Sequence, residues 1–199
     1  MAHTLQSIST ERHNAILETA IALFGSKGYQ SVTIDEIAKT AGVSRGLIHY
    51  HFGNKEDLLL QIVCSGRSVL SESLNAISLS NDTARNKIRE ALRVYMELAG
   101  SRLAVAQMML IAFFEMPHTQ RIRSELLDTF EETRIQFRAL IDEGLDNGEI
   151  RPMDGAIATR LAIGMALETI KMATLEEGHI KPEEAAEEIT SVLFDGIGN

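Results

Sequence analysis

Apolar residues recur along most of this 199-residue chain at spacings of three and four positions, which is the period of an amphipathic α-helix. The first such stripe predicts a helix over residues 9–27. Gly28 follows it and suits the left-handed conformation in which many helices end. Residues 1–8 show no periodicity, so we expect a flexible tail there.

Two short helices joined by a tight turn are predicted next. Thr33 and Glu36 have the spacing of a capping box, in which each side chain satisfies an unpaired amide at a helix start. Ser44 is expected to cap the second helix, and Gly42 supplies the positive φ that a tight turn between crossing helices needs. This is the layout of a helix-turn-helix, whose second helix enters the major groove of DNA.

Helical patterns continue to the end of the chain, and no stretch has the alternation of a strand. The predicted fold class is all-α, with about nine helices in total. A three-helix helix-turn-helix domain is expected over residues 9–55, and a helical bundle over residues 56–199. Asn54 is expected to cap the long fourth helix. The later helices are predicted over residues 81–99, 102–115, 119–146, 154–177 and 182–196, with Asn81 and Asp82 opening the first of them.

The charge of the chain is unevenly distributed. The formal net charge is −9, which by itself argues against a nucleic-acid partner. Residues 1–60 carry five basic and six acidic side chains, whereas residues 61–199 carry fourteen and twenty-two. The acidity therefore lies in the C-terminal two-thirds, and the N-terminal third can present a basic face to DNA.

Membrane and secretion signals are missing from the sequence. The longest apolar runs have seven residues, whereas a membrane span needs about 20. The N-terminus lacks a basic start followed by an apolar block, and the single Cys64 weakly favours a reducing compartment. We therefore expect a cytoplasmic protein with no membrane partner.

The second helix of the predicted pair carries chemistry suited to DNA. Arg45 at its start can contact guanine with two hydrogen bonds, and Gly46 allows the backbone to approach closely. Lys55 lies in the first turn of the next helix, where free amides and an ammonium group together hold a phosphate. The side chains expected to contact phosphates or base edges are Ser44, His49, Tyr50 and His51.

Residues 9–60 resemble the DNA-binding domain of the TetR family of bacterial transcriptional regulators. The matching positions are Phe24, Gly28, Thr33, Ile37, Ala38, Ala41, Gly42, Val43, Ser44, Gly46, Tyr50, His51, Phe52, Lys55 and Leu58. The resemblance implies that Thr33 touches the DNA backbone, that Ser44, Arg45, Gly46 and His49 face the groove, and that Tyr50, His51 and Lys55 grip phosphates. This sequence departs from the family pattern at His49, where the family most often has tyrosine.

The resemblance also implies a C-terminal bundle that dimerises and binds a small effector. The predicted helix over residues 154–177 is apolar nearly all round, so it must be buried on several sides. A two-fold dimer is what a palindromic operator needs, because two reading helices must lie about one DNA turn apart. The expected interface residues are Leu161, Met165, Ile189, Val192 and Leu193.

Seven of the eight methionines lie beyond residue 95, together with several phenylalanines. Flexible methionine side chains suit an adaptable apolar pocket, although they equally suit an ordinary core. The effector is therefore expected to be small and apolar. The expected pocket residues are Met96, Gln107, Met108, Phe113, Phe137, Met165, Thr169 and Met172.

Other classes of function find little support in the sequence. The segment 25–28 is too short for a phosphate-binding loop. His49 and His51 are two positions apart on a helix, so they diverge and cannot share a metal ion. No catalytic residue, metal site or cofactor is predicted. The residues together with the resemblance predict a ligand-responsive repressor. Three alternatives stay open: a protein-interaction bundle without an effector, in which the helix pair only packs, an enzyme in the helical bundle, and an activator in place of the repressor.

Overall fold

The computed structural model describes residues 2–101, 120–175 and 181–196. These ranges contain eight α-helices, and no strand occurs in them. The predicted helix over residues 102–115 lies outside the described residues. The helices are α1 (Ala2–Lys27), α2 (Ile34–Ala41), α3 (Arg45–Phe52), α4 (Lys55–Ser78), α5 (Ala84–Ser101), α6 (Gln120–Asp146), α7 (Gly155–Leu175) and α8 (Pro182–Phe194).

The first helix starts earlier than the sequence pattern suggested. Residues 2–8, expected to form a flexible tail, are the first turns of α1. This stretch contains neither glycine nor proline, and once a helix exists each added residue gains a hydrogen bond at little further cost. At the other end Gly28 has φ 78°, and its amide donates to the Phe24 carbonyl, so the predicted stop is confirmed.

The caps of the helix-turn-helix form as the sequence predicts. The Thr33 hydroxyl oxygen accepts from the Glu36 amide at 3.1 Å, and the Ser44 hydroxyl oxygen accepts from the Leu47 amide at 3.2 Å. Gly42 lies between the two helices with φ 67°, a left-handed conformation that only glycine adopts without strain. The turn between α2 and α3 is therefore fixed by local chemistry.

The chain forms two compact units, each considered by itself. Among the described residues, the first unit holds residues 2–65 and 120–126, and it includes the first part of α4. Its interior is built from one face of each N-terminal helix, with α2 packed against α1 and α3. The buried side chains include Ile16, Phe24, Ile37, Ile48, Phe52, Leu58, Leu59 and Ile62.

Among the described residues, the second unit holds residues 66–101, 127–175 and 181–196. Helix α5 packs most extensively against α8 and also against α7, and α7 packs against α8. Its buried side chains include Ile88, Leu92, Met96, Phe137, Leu140, Ile141, Ala162, Ala166, Ile189 and Leu193. Helices α6, α7 and α8 occupy nearly the ranges that the periodicity predicted.

Helix α5 begins three residues later than Asn81, the first of the two residues predicted to open it. Thr83 is the capping residue, because its hydroxyl oxygen accepts from the Asn86 amide at 3.2 Å. The Glu149 carboxylate accepts from the next two free amides, those of Ala84 and Arg85, at 3.1 and 3.3 Å. A partner distant in sequence thus helps to fix this helix start, which local spacing cannot reveal.

None of the helices in the described ranges combines the length and the apolar character that a membrane span requires.

Candidate nucleic-acid interface

Helix α3 has one buried face and one open face. Ile48 is fully buried and Phe52 nearly so, four residues apart on the side that faces the core of the first unit. The opposite side is exposed, and Tyr50 on it is 82% exposed. The exposed residues of α3 are Arg45, Gly46, His49 and Tyr50. The helix therefore presents a polar and aromatic surface outward, as the sequence predicted.

Arg45 is held by two neighbours on the open face. Its Nη1 donates to the two carboxylate oxygens of Asp35 at 3.3 and 3.1 Å, and its Nε donates to His49 Nε2 at 3.2 Å. His49 Nδ1 lies 2.5 Å from the Gly53 carbonyl oxygen. Since Nε2 accepts, these bonds assign the proton of His49 to Nδ1, which donates to Gly53. The sequence pattern of α3 alone does not predict that Arg45 contacts Asp35.

Within the described residues, no contact requires position 46 to be glycine. Its backbone is helical, and a methyl group added there would meet only the Ser44 hydroxyl, 3.9 Å away. Glycine inside a helix costs about 0.5–1 kcal/mol relative to alanine. On the exposed side of α3, such a glycine leaves room for a ligand to approach the backbone closely.

The two predicted hydroxyl contacts lie at helix starts. Thr33 and Ser44 are exposed and use their oxygens as caps. The hydroxyl hydrogens remain available to donate to a phosphate oxygen. Each side chain can therefore cap its helix and contact DNA at once.

His51 lies in an aromatic group rather than alone on the surface. Its ring is edge-on to Tyr50, at 5.2 Å between centroids, and edge-on to His13 of α1, at 5.8 Å. His13 stacks on Phe52 at 4.7 Å, and its Nε2 lies 3.0 Å from the Gln61 Oε1. The helical pattern of residues 9–27 gave no indication that His13 would lie beside His51 and Phe52.

Lys55, predicted to contact a phosphate at the start of α4, lies close to other groups of the chain. The Lys55 ammonium lies 4.2 Å from the centroid of the Tyr29 ring and 3.4 Å from the Gln30 carbonyl oxygen. Partial burial lowers the pKa of Lys55. Asn54 caps the helix as predicted, and its Oδ1 thereby accepts a hydrogen bond from the Asp57 amide at 2.9 Å. An amide expected to be free for a phosphate is therefore used within the chain.

The expected pocket residues divide into three groups. Met96 and Phe137 are fully buried in the second unit, and Met165 and Thr169 are half-buried there. Met172 is 37% exposed, so it lies at the surface and not in the interior of the subunit. Three further expected pocket residues, Gln107, Met108 and Phe113, lie outside the described residues.

One polar group in this core was not singled out from the sequence. The Tyr95 ring is edge-on to Phe137 at 6.0 Å, and burial raises the pKa of Tyr95 to about 12. Like any tyrosine hydroxyl at physiological pH, that of Tyr95 is neutral and can donate a hydrogen bond.

The expected interface residues also differ in how exposed they are. Ile189 and Leu193 are 6% and 7% exposed within the subunit, where α8 packs against α5 and α7. Leu161 is 48% exposed, whereas Met165 and Val192 are half-buried. The open side of α7 carries an apolar stripe of Ile157, Leu161, Gly164 and Met172, which the exposed Glu168 interrupts between Gly164 and Met172. The structure therefore places part of the predicted interface inside the subunit and leaves this stripe open.

Two family models match the chain. Residues 16–62 match the model of bacterial regulatory proteins of the tetR family, and residues 81–197 match that of the tetracyclin repressor-like C-terminal domain. The second match covers more than half of the chain. The fold and the open face of α3 define a helix-turn-helix DNA-binding protein. The chain belongs to the TetR family of transcription regulators.

Individual relatives agree with this assignment. The fatty acid metabolism regulator protein of Bacillus subtilis is 24% identical over 191 residues, 94% of this chain and 96% of that protein. The BetI regulator of Rhizobium meliloti is 36% identical over 83 residues, which are 42% of this chain and only 41% of that protein.

Solved structures share the fold. The regulator FadR from Bacillus subtilis, in complex with stearoyl-CoA, has a TM-score of 0.78 at 20% identity and covers 92% of this chain and 98% of that one. AibR, in complex with isovaleryl coenzyme A and operator DNA, has a TM-score of 0.73 at 23% identity, with the same coverage of both chains.

The unexplained glycine gives a first prediction. Gly46→Ala is expected to raise the free energy of unfolding by about 0.5–1 kcal/mol, because alanine favours the helix. The same change is expected to weaken DNA binding about tenfold, which corresponds to about 1.4 kcal/mol, because the methyl group blocks a close approach. Urea unfolding and fluorescence anisotropy with labelled operator measure the two effects.

Gly66→Ala is the matched control. Gly66 is also helical, and a methyl group added there meets nothing within 4 Å. This variant is expected to gain stability and keep its DNA affinity. Equal DNA affinity of Gly46→Ala and wild type would contradict the interpretation of Gly46.

Proposed function

We propose that this regulator is a repressor that binds a palindromic operator as a homodimer and releases it when an acyl-CoA binds the helical bundle. The observation that carries the proposal is the open face of α3, where Arg45, Gly46, His49 and Tyr50 are exposed while Ile48 and Phe52 anchor the helix. The other parts of the proposal rest on the surface of α7 and on the relatives.

Each DNA contact follows from the chemistry of a side chain. Arg45 donates two hydrogen bonds to guanine, and His49 contacts a neighbouring base edge. Contacts to phosphate fix the register of the protein on the duplex. The phosphate-contacting residues of the proposal are Thr33, Ser44, Tyr50, His51 and Lys55, of which Lys55 must first leave the ring of Tyr29.

Replacing the reading arginine tests the DNA-binding part. Arg45→Ala is expected to weaken operator binding by about 1–3 kcal/mol, between fivefold and 150-fold, because a bidentate base contact is lost. Anisotropy at fixed salt measures the affinity, and light scattering checks that the dimer persists. Arg151→Ala removes the same charge from an exposed position in the second unit and is expected to bind like wild type. Unchanged operator affinity of Arg45→Ala would refute this role.

The open stripe of α7 supports the homodimer. Ile157 and Leu161 are about half exposed, and Gly164 has nothing within 4 Å of the position that a methyl group would take. Apolar side chains that recur along one helix face gain about 25 cal/mol for each Å² removed from water. A glycine among them lets a second helix approach closely. A second copy of the chain that packs this stripe against its own gives the two-fold symmetry that a palindrome requires.

Charge on this stripe is expected to separate the subunits. Leu161→Glu places a carboxylate where the proposed partner helix packs, so analytical ultracentrifugation should show monomers at micromolar concentration, and operator affinity should fall with the dimer. Leu79→Glu is the matched control, because Leu79 is 88% exposed after the end of α4. A Leu161→Glu variant that stays dimeric would exclude this interface.

The effector class rests on the relatives and on the core of the second unit. Two structures of the same fold contain coenzyme A thioesters, stearoyl-CoA in one and isovaleryl-CoA in the other. The side chains of Met96 and Phe137 provide apolar surface in this unit, and the neutral Tyr95 hydroxyl provides a donor beside them. An acyl chain suits such surroundings, in agreement with the apolar effector that the sequence predicted.

A series of acyl-CoA thioesters from 4 to 18 carbons tests the effector. At saturation the matching thioester is expected to lower operator affinity by about 1–3 kcal/mol, the usual range of coupling between two sites. Coenzyme A alone and the free fatty acid serve as controls for the two halves of the molecule. If no thioester changes operator affinity, the effector class is wrong, while the DNA-binding part stands on its own test.

A further inference from the structure

Asp35 connects the two helices of the helix-turn-helix through its carboxylate. It lies in the first turn of α2, and both of its oxygens accept from Nη1 of Arg45 at the start of α3. The two side chains are 65% and 61% exposed, so the pair lies at the surface. The bond therefore joins a residue outside the reading helix to the arginine proposed to read DNA.

The stability of the fold gives little reason for this pair. Ion pairs between exposed side chains contribute about 0–1 kcal/mol. A carboxylate close to the DNA-facing side also repels phosphates, and this repulsion weakens binding to every sequence alike. Asp35 therefore lowers the affinity for DNA of any sequence and adds little to the stability of the fold. Its contact with Arg45 is the remaining explanation for an acidic residue at this position.

An arginine whose side chain is unrestrained discriminates poorly between bases. Its long side chain has many rotamers, and near DNA it can swing to a phosphate, where the contact carries no base information. Arg45 is restrained at two points, at Nε by His49 and at Nη1 by Asp35. Among the residues that the structure describes, its Nη2 has no partner. Each terminal nitrogen carries two hydrogens, so Nη1 can keep Asp35 while Nη1 and Nη2 together approach guanine.

We propose that Asp35 is a specificity-determining positioning residue, which holds Arg45 in the orientation that reads guanine and keeps it from nearby phosphates. This inference rests on the proposed function of DNA binding. It assigns to α2 a part in base selection beyond its packing against α1 and α3.

The experiment compares base preference and general affinity in the full-length protein. Wild-type protein first selects an operator from random duplexes. Every single-base substitution of that operator is then measured with wild type, Asp35→Ala, Arg45→Ala and the double variant Asp35→Ala/Arg45→Ala. A duplex of unrelated sequence, measured at several salt concentrations, reports the affinity that does not depend on sequence.

Asp35→Ala is expected to lower the preference for guanine about tenfold, at the same operator position where Arg45→Ala abolishes it. Affinity for unrelated DNA is expected to rise about threefold, with a steeper salt dependence, because one negative charge is gone and Arg45 is free to contact a phosphate. In the Arg45→Ala background the Asp35 change is expected to leave base preference unaltered, because its effect acts through Arg45.

Glu36→Ala is the matched control. Glu36 is the next residue of α2 and carries the same charge, but its carboxylate pairs with Lys27 of α1 and not with Arg45. This variant is expected to gain affinity for unrelated DNA and to keep the wild-type base preference. Asp35→Asn keeps an acceptor oxygen without the charge and is expected to be intermediate, and thermal unfolding checks that all variants are folded.

The outcomes separate this inference from the function on which it rests. If wild type selects no sequence, the proposed function and the inference both fail. If wild type and Arg45→Ala behave as expected while Asp35→Ala keeps the full guanine preference, only the role of Asp35 is refuted. The same holds if Asp35→Ala changes the guanine preference no more than Glu36→Ala does. Loss of preference at an operator position that Arg45 does not read refutes it as well.

Discussion

The open face of α3 depends on the burial of Ile48 and Phe52 on its other side. A helix of eight residues is not stable alone in water, so these two anchors must hold it in place. Each buried side chain of this size contributes about 1.5–3 kcal/mol. Because the anchors are four residues apart, they fix the rotation of α3 about its axis as well as its position. That rotation decides that Arg45 and His49 point outward.

Much of the proposed DNA contact surface also has a task within the protein. Thr33 and Ser44 cap α2 and α3, and His49 donates to the carbonyl that follows its own helix. Groups fixed in this way lose less conformational entropy when DNA binds, so more of each contact appears as affinity. Gly46 is different, because it lowers helix stability without an internal return. The surface thus combines residues that also stabilise the fold with a glycine that leaves room for a close approach to the backbone.

Apolar surface in the second unit is divided between the interior of one subunit and the open stripe of α7. Ile189 and Leu193 of α8 are buried within the subunit, whereas Ile157 and Leu161 of α7 are about half exposed. In the proposed dimer the same helix, α7, therefore contributes one side to its own core and another to its partner. An effector that changes the packing of α7 would act on both sides at once, which gives the proposed release of DNA a physical route.

The sequence by itself determined most of the described helices, the caps at Thr33, Ser44 and Asn54, and the turn at Gly42, because these follow from contacts between residues close in the chain. The family and the open face of α3 followed from the same short segment. Only the tertiary structure decided which apolar face meets which partner, since periodicity shows that a face is buried but not against what. It likewise decided the long-range polar contacts, such as Glu149 at the start of α5, Lys55 against Tyr29 and Asp35 on Arg45. These contacts join residues that the fold brings together from different helices or loops, and no local spacing encodes them.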